Sequence, residues 1–232
     1  MTMFSSQWFG GSSSIEGSNT DNTRSSTDAT TFTFSDQDIG GAATNRVIAV
    51  AVGMGANAVL RDIDSVTVGG TNLSKQVGSE VINAGVENFR AEIWSAVIAS
   101  GTEADIVVTL SGAVGSNRGV GISVHRLIGN VSATPDVTET ASDDDGTTDP
   151  LTVSVNTEIN GYVICCGVSF KTSPNTATWS GATEVTDAMT GNIAQTAANY
   201  SATSDETPRT ITVTFTSGGS ACAAASASWF PS

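Results

Sequence analysis

The chain runs through one order of strand-like segments twice, and this internal repeat constrains the fold more than any other feature. The first pass closes with the segment RGVGISVHRLIG at residues 118–129, and the second follows it to the end of the chain. Phe32 matches Val153, 121 residues later, and Gly119 matches Ser220, 101 residues later. The offset only falls along the chain, so each length difference is a shorter loop in the second pass. The sequence therefore predicts two copies of one β-unit.

The matched segments have the two-residue period of strands. Phe32 and Phe34 alternate with Thr31, Thr33 and Ser35, the pattern of a half-buried strand. Ser, Thr, Gly, Ala and Val dominate the composition, which favours strands and turns over helices. We therefore predict an all-β chain that folds as an antiparallel β-sandwich, jelly-roll or immunoglobulin-like, built from two pseudo-repeats.

These patterns divide the chain into four parts. Residues 1–28 are polar and predict an extended N-terminal arm, and residues 29–129 form the first sandwich repeat. Residues 130–149 read as an acidic connecting loop, and residues 150–232 form the second repeat. Either one pseudo-twofold sandwich built from both copies or two sequential small sandwiches satisfies the repeat. The loop-like linker favours one compact unit.

Aromatic side chains cluster at the two ends of the chain. The arm carries Phe4, Trp8 and Phe9, and the last strand ends in Trp229 and Phe230. An arm of this composition is ordered only when it lies against its own domain or a neighbouring subunit. We predict that these five side chains bind a partner; the alternative is burial against the chain's own sandwich.

Charge and targeting signals exclude several classes of partner. The formal net charge is -14, whereas a nucleic-acid ligand requires clustered Lys and Arg. The first residues lack the basic and apolar regions of a secretion signal, and no 18-residue apolar run could cross a membrane. We therefore expect no nucleic acid, no membrane association and synthesis in the cytoplasm.

The three cysteines predict buried free thiols. Cys165 and Cys166 are neighbours in a strand and point to opposite faces, so they do not pair with each other. A bridge from Cys222 to one of them is the alternative.

Few residues suggest chemistry. His125 is the only histidine and lies within a predicted strand, away from any nucleophile motif, so we expect a structural role and no catalysis. Asp143, Asp144, Asp145 and Asp149 could supply oxygen ligands to calcium, but they lack the spacing of an EF-hand, and a solvated acidic loop is the alternative. No pair of carboxylates stands out for glycoside hydrolysis.

A resemblance to a known group of proteins rests on three segments, TTFTFSDQDIGGAATNRVIAVAVG, AEIWSAVIASGTEADIVVTLSG and the strand ending in HRLIG. Over about residues 30–230 the chain resembles Ser/Thr/Ala-rich β-sandwich structural proteins of tailed bacteriophages. The resemblance implies a virion protein without enzymatic activity or cofactor, a homo-oligomer in contact with major capsid or tail proteins. It implies most directly a capsid decoration or accessory subunit that assembles through its arm and sandwich surface. The alternative is a tail or fibre module that binds a carbohydrate or receptor, for which Trp94, Trp179 and Tyr200 would have to be exposed.

Overall fold

The structure, a computed structural model, describes residues 14–57, 60–83, 87–144, 150–170, 176–215 and 221–232. Over these residues the chain is all-β, as predicted, with seventeen strands. No helix in the described ranges is long and apolar enough to cross a membrane. The strands are β1 (Glu16–Ser25), β2 (Thr31–Asp38), β3 (Val47–Asn57), β4 (Ile63–Val68), β5 (Thr71–Asn72), β6 (Ser74–Asn83), β7 (Glu87–Val97), β8 (Glu103–Leu110), β9 (Gly119–Ile128), β10 (Val137–Asp143), β11 (Leu151–Thr157), β12 (Tyr162–Phe170), β13 (Ala177–Ser180), β14 (Thr183–Thr190), β15 (Ile193–Ser201), β16 (Glu206–Phe215) and β17 (Cys222–Trp229).

The first copy is a complete β-sandwich. Its five-stranded sheet has the order β1-β9-β3-β7-β6 and packs on a four-stranded sheet of order β2-β8-β4-β5. Without β6, this is the strand order of a jelly roll. The predicted turn at Gly69 and Gly70 joins β4 to β5, and both glycines have positive φ, which a two-residue hairpin turn requires.

Over the described residues the second copy repeats this order, except that β5 has no counterpart. Its five-stranded sheet is β10-β17-β12-β15-β14 and its outer sheet is β11-β16-β13. Every strand of the second copy therefore has a counterpart in the first. Alternation explains the outer sheets: Leu151, Val153 and Val155 of β11 point inward and the residues between them are exposed.

The two five-stranded sheets pack face to face, so the molecule has four layers. One apolar cluster lies inside each sandwich, and a third lies between them and contains Ala49, Ala51, Ile164, Cys166 and Ala225. Strands β3, β12 and β17 are therefore covered on both faces, which explains their almost unbroken apolar sequences. Each copy closes its own sandwich, so the arrangement in which both copies build one shared sandwich is wrong.

The third cluster depends on glycines in the first copy. A Cβ atom at Gly121 would lie 1.4 Å from Oε1 of Gln195, and one at Gly53 would lie 2.5 Å from Cγ of the same side chain. A Cβ at Gly55 would lie 2.1 Å from Cδ1 of Ile193. The bare backbone at these positions forms the recess that receives the two side chains of β15.

A buried arginine organises the end of the first sandwich at which β3 begins. Arg46 donates side-chain hydrogen bonds of 2.7–3.3 Å to five carbonyl oxygens. Burial, and then the nearby Arg126, lower the pKa of Arg46 from its usual value. The repeat alignment places Gly161 at the corresponding position of the second copy, and glycine has no side chain that could donate such hydrogen bonds. The carbonyl groups belong to Ile39, Gly40, Ile98, Ser100 and Gly101.

Two segments predicted as irregular are strands. Residues 16–25, predicted as part of the arm, form β1 and pair with β9, and residues 137–143, predicted as connecting loop, form β10 and pair with β17. Both are polar edge strands of low burial, so neither has the apolar alternation from which strands are predicted. The first copy therefore begins at Glu16 and the second at Val137. Residues 1–13 of the predicted arm lie outside the described residues.

All three cysteines are buried thiols that form no disulfide, as predicted. Cys165 lies opposite Ser226 and Cys222 lies opposite Ser169 in the pairing of β12 with β17. The two thiols are therefore four residues apart along the strands, about 13 Å, which is too far for a disulfide.

Candidate functional site

His125 lies in the layer between the two sandwiches. Its Nε2 is 3.1 Å from Oγ of Ser123, which accepts a hydrogen bond of 2.9 Å from Nδ2 of Asn19. Ser123 and Nε2 of His125 therefore share one hydrogen bond, whose donor is set by the tautomer of the neutral ring. The imidazole is 6.3 Å from the ring of Tyr162, and burial lowers the pKa of His125 to about 3. Because Ser123 and His125 are fully buried, this pair is structural.

Burial of the neutral imidazole makes stability depend on pH. The pKa of His125 is lower in the folded chain than in the unfolded chain, so its contribution is complete above pH 6.5 and is lost as the pH falls towards 3. Between pH 7 and pH 5 the free energy of unfolding should drop about 2 kcal/mol more in the wild type than in His125→Gln. Urea unfolding of both proteins at the two pH values measures the difference. Equal drops would contradict the neutral buried imidazole.

A further buried charged group surrounds Glu92, a residue that the sequence did not single out. Its carboxylate accepts hydrogen bonds from Nζ of Lys75 at 3.2 Å and from Nε1 of Trp94 at 2.9 Å, and Nη1 of Arg90 lies at 3.6 Å. Burial raises the pKa of Glu92, against the cationic neighbours and the hydrogen bonds that lower it. The spacing of Arg90, Glu92 and Trp94 on β7 places them on one face of the strand, a signal that the sequence did contain. Only 1% of the Glu92 side chain is exposed, so the group joins β6 to β7 and is closed to a substrate.

The acidic segment does not gather into a metal site among the described residues. Asp143 is buried at the end of β10, and Asp144 is exposed and lines a groove of about 510 Å³ with Glu80, Ile82 and Ser142. Across the described chain no three acidic, histidine or cysteine side chains stand close enough to hold a cation. Asp145 and Asp149 lie outside the described residues, so calcium binding through them stays a prediction.

A surface recess with Ile159 and Phe230 in its walls lies at the end of the second sandwich. Its volume is about 490 Å³, and half of the Ile159 side chain is exposed there. Oδ1 of Asp205 accepts a hydrogen bond of 2.7 Å from the backbone N–H of Ile159 and fixes that wall. We call this recess the Ile159 groove. Its lining includes Asn156, Glu158, Ile159, Asp205, Thr207 and Phe230.

The structure describes two of the five aromatic residues that were predicted to contact a partner. Trp229 is fully buried between the sandwiches, so its prediction as a surface contact is wrong, because β17 is a central strand covered on both faces. Phe230 is half-buried and lines the Ile159 groove. Phe4, Trp8 and Phe9 lie outside the described residues.

The rings considered for a carbohydrate platform are largely used in packing. Trp94 and Trp179 are buried in the cores of the first and second sandwich. Tyr200 is half-buried, and the guanidinium of Arg209 covers its ring at 3.5 Å. These three rings do not form an exposed stacking surface.

Comparison of the chain with protein-family models, with curated proteins and with solved structures finds no match.

Proposed function

We propose that the chain is a non-enzymatic structural subunit of a tailed-phage particle, most specifically a capsid decoration or accessory subunit. The proposal rests mainly on one observation: the five-stranded sheet of the second copy covers the five-stranded sheet of the first. The only histidine, the Glu92 carboxylate and all three thiols are enclosed by packing, and the Ile159 groove is a surface recess lined by Ile159 and Phe230 among polar residues. A molecule of this kind is suited to a rigid structural role in which it contacts other proteins.

Two further points support the proposal. The sequence resembles phage β-sandwich structural proteins over about residues 30–230. The jelly-roll strand order of each copy is an architecture used by viral capsid proteins, although lectins use it too, so the fold supports the proposal by analogy.

The proposed mechanism is multivalent attachment of a rigid block. Four stacked layers hold the loops at both ends in a fixed relation, and many weak contacts around a particle add up to stable binding. Residues 1–13 of the predicted arm, which lie outside the described residues, would span at most about 45 Å if fully extended, about half the reach of a 28-residue arm.

Copy number tests the proposal. Quantitative mass spectrometry of purified particles would compare this chain with the major capsid protein. Hundreds of copies per particle are expected of a lattice-following decoration subunit. A few to a few tens would overturn the decoration role in favour of a tail or fibre module that binds a receptor, and absence from particles would overturn the virion assignment itself.

A further inference from the structure

The two copies differ at one apolar position, and the difference leaves an apolar surface uncovered. The repeat alignment matches Ile39 of the first copy with Ile159 of the second. Ile39 is 1% exposed, whereas Ile159 is 50% exposed in the Ile159 groove. The equivalent position is therefore buried in the first copy and exposed in the second.

The local reason for the difference is the loss of covering segments in the second copy. In the first copy, Arg46 binds the carbonyl groups on both sides of the turn, and the loop at residues 98–102 lies over Ile39. In the second copy Gly161 replaces Arg46, and the corresponding loops are shorter. A covering group from elsewhere would restore the burial that the first copy achieves alone.

The N-terminal segment reaches the described part of the chain beside this groove. The backbone N–H of Ile15 donates a hydrogen bond of 3.0 Å to the carbonyl oxygen of Asn160, the residue next to Ile159. Ile15 is buried, so the position of Ser14, the first described residue, is fixed beside this end of the second sandwich. Six residues separate Trp8 from Ser14, a span of about 20 Å at most.

We propose that the Ile159 groove binds the N-terminal aromatic segment, residues 4–9, of the same chain. This segment contains the three aromatic residues of the first 13, Phe4, Trp8 and Phe9. The volume of about 490 Å³ is sufficient for large aromatic side chains, and Ile159 and Phe230 supply apolar walls. Glu158 and Asn156 provide acceptors at the rim for the indole N–H of Trp8.

Chain connectivity favours the groove of the same chain over that of a second copy. A short tether raises the effective concentration of the segment at its own groove to the millimolar range, well above the concentration of a neighbouring chain in dilute solution. The inference goes beyond the proposed function, because it holds whether or not the chain is part of a virion.

Cysteine cross-linking tests where the segment lies while keeping its aromatic residues. Gln7→Cys is combined with Asn156→Cys at the groove, or with Thr152→Cys as the matched control. Asn156 and Thr152 are both exposed on β11, four residues or about 13 Å apart. Thr152 lies farther from Ser14 than Asn156 does, so both pairs are also made with Phe4, Trp8 and Phe9 changed to Ser, which gives the ratio of the two rates for a segment that does not dock.

Docking in the same chain predicts that the ratio of the Asn156→Cys rate to the control rate is at least about tenfold higher with the aromatic residues than with Ser in their place, and that the product is monomeric. Intact-mass spectrometry and non-reducing gels distinguish that product from a dimer. The same ratio with and without the aromatic residues, or a disulfide between two chains, would overturn the proposal.

A second experiment removes the groove instead of trapping the segment. Chymotrypsin cleaves after aromatic residues, so it reports the accessibility of Phe4, Trp8 and Phe9. Ile159→Asp should speed cleavage of the N-terminal segment about tenfold, because proteolysis follows the undocked population. Leu60→Asp is the matched control, since Leu60 is also 50% exposed, and it should leave the rate unchanged. An unchanged rate in Ile159→Asp, in a protein with wild-type Tm, would contradict the proposal.

Discussion

Arg46→Met is expected to lower the free energy of unfolding by about 3–5 kcal/mol, a large part of the stability of an ordinary domain. The guanidinium of Arg46 is fully buried and donates to five carbonyl groups that belong to two loops. Methionine fills a similar volume but donates no hydrogen bond, so the carbonyl groups lose their partner at this end of the sandwich. Lysine cannot restore five donors in a plane, so Arg46→Lys should recover only part of the loss.

Urea unfolding of the wild type, Arg46→Met and Arg46→Lys measures this effect. Arg24→Met is the matched control, because Arg24 is exposed on β1 and its replacement should change stability by no more than about 0.5 kcal/mol. If Arg46→Met lowers the free energy of unfolding by less than about 1 kcal/mol, the five hydrogen bonds of the Arg46 side chain are not formed.

The second large effect concerns the contact between the two sandwiches. Gly121→Val is expected to destabilise the chain by about 3 kcal/mol or more, because its side chain would occupy the space of Gln195. Valine favours strands over glycine, so a loss cannot be attributed to local propensity. Gly121 belongs to the first copy and Gln195 to the second.

A double-mutant cycle ties the loss to that contact. Gln195→Ala removes the side chain that Gly121→Val would meet, so the double variant should be more stable than the sum of the single losses predicts, by about 1–3 kcal/mol. Additive losses would show that Gly121 and Gln195 do not touch.

The fold class and the repeat could be predicted from the sequence because the alternation of apolar and polar residues and the shortening of loops are local signals. β2 and β11 alternate as expected, and matched segments such as 106–110 and 211–215 fall in the corresponding strands β8 and β16. The edge strands β1 and β10 were missed because exposed polar residues carry no alternation. The stacking of the sandwiches was also missed, although the unbroken apolar runs of β3 and β12 indicate strands covered on both faces.

The sites were less predictable, since they depend on what packs against each residue. His125, for which a structural role was predicted, is fully buried, whereas Trp229 was expected at the surface and lies between the sandwiches. The Ile159 groove left no motif. Its signal was the pairing of Ile39 with Ile159 in the repeat alignment, and burial at only one of the two positions appears only in three dimensions.

Thiol accessibility in the native wild-type protein tests the four-layer stack most directly. Cys166 faces the layer between the sandwiches, whereas Cys165 and Cys222 face the core of the second sandwich. Burial raises the pKa of Cys166 to about 12, which further suppresses its thiolate. Alkylation followed by peptide mass mapping should therefore modify none of the three thiols in the native protein and all three after denaturation. Modification of Cys166 alone, at the rate of an exposed thiol, would mean that the face of β12 is open to solvent and that the two sandwiches are not stacked.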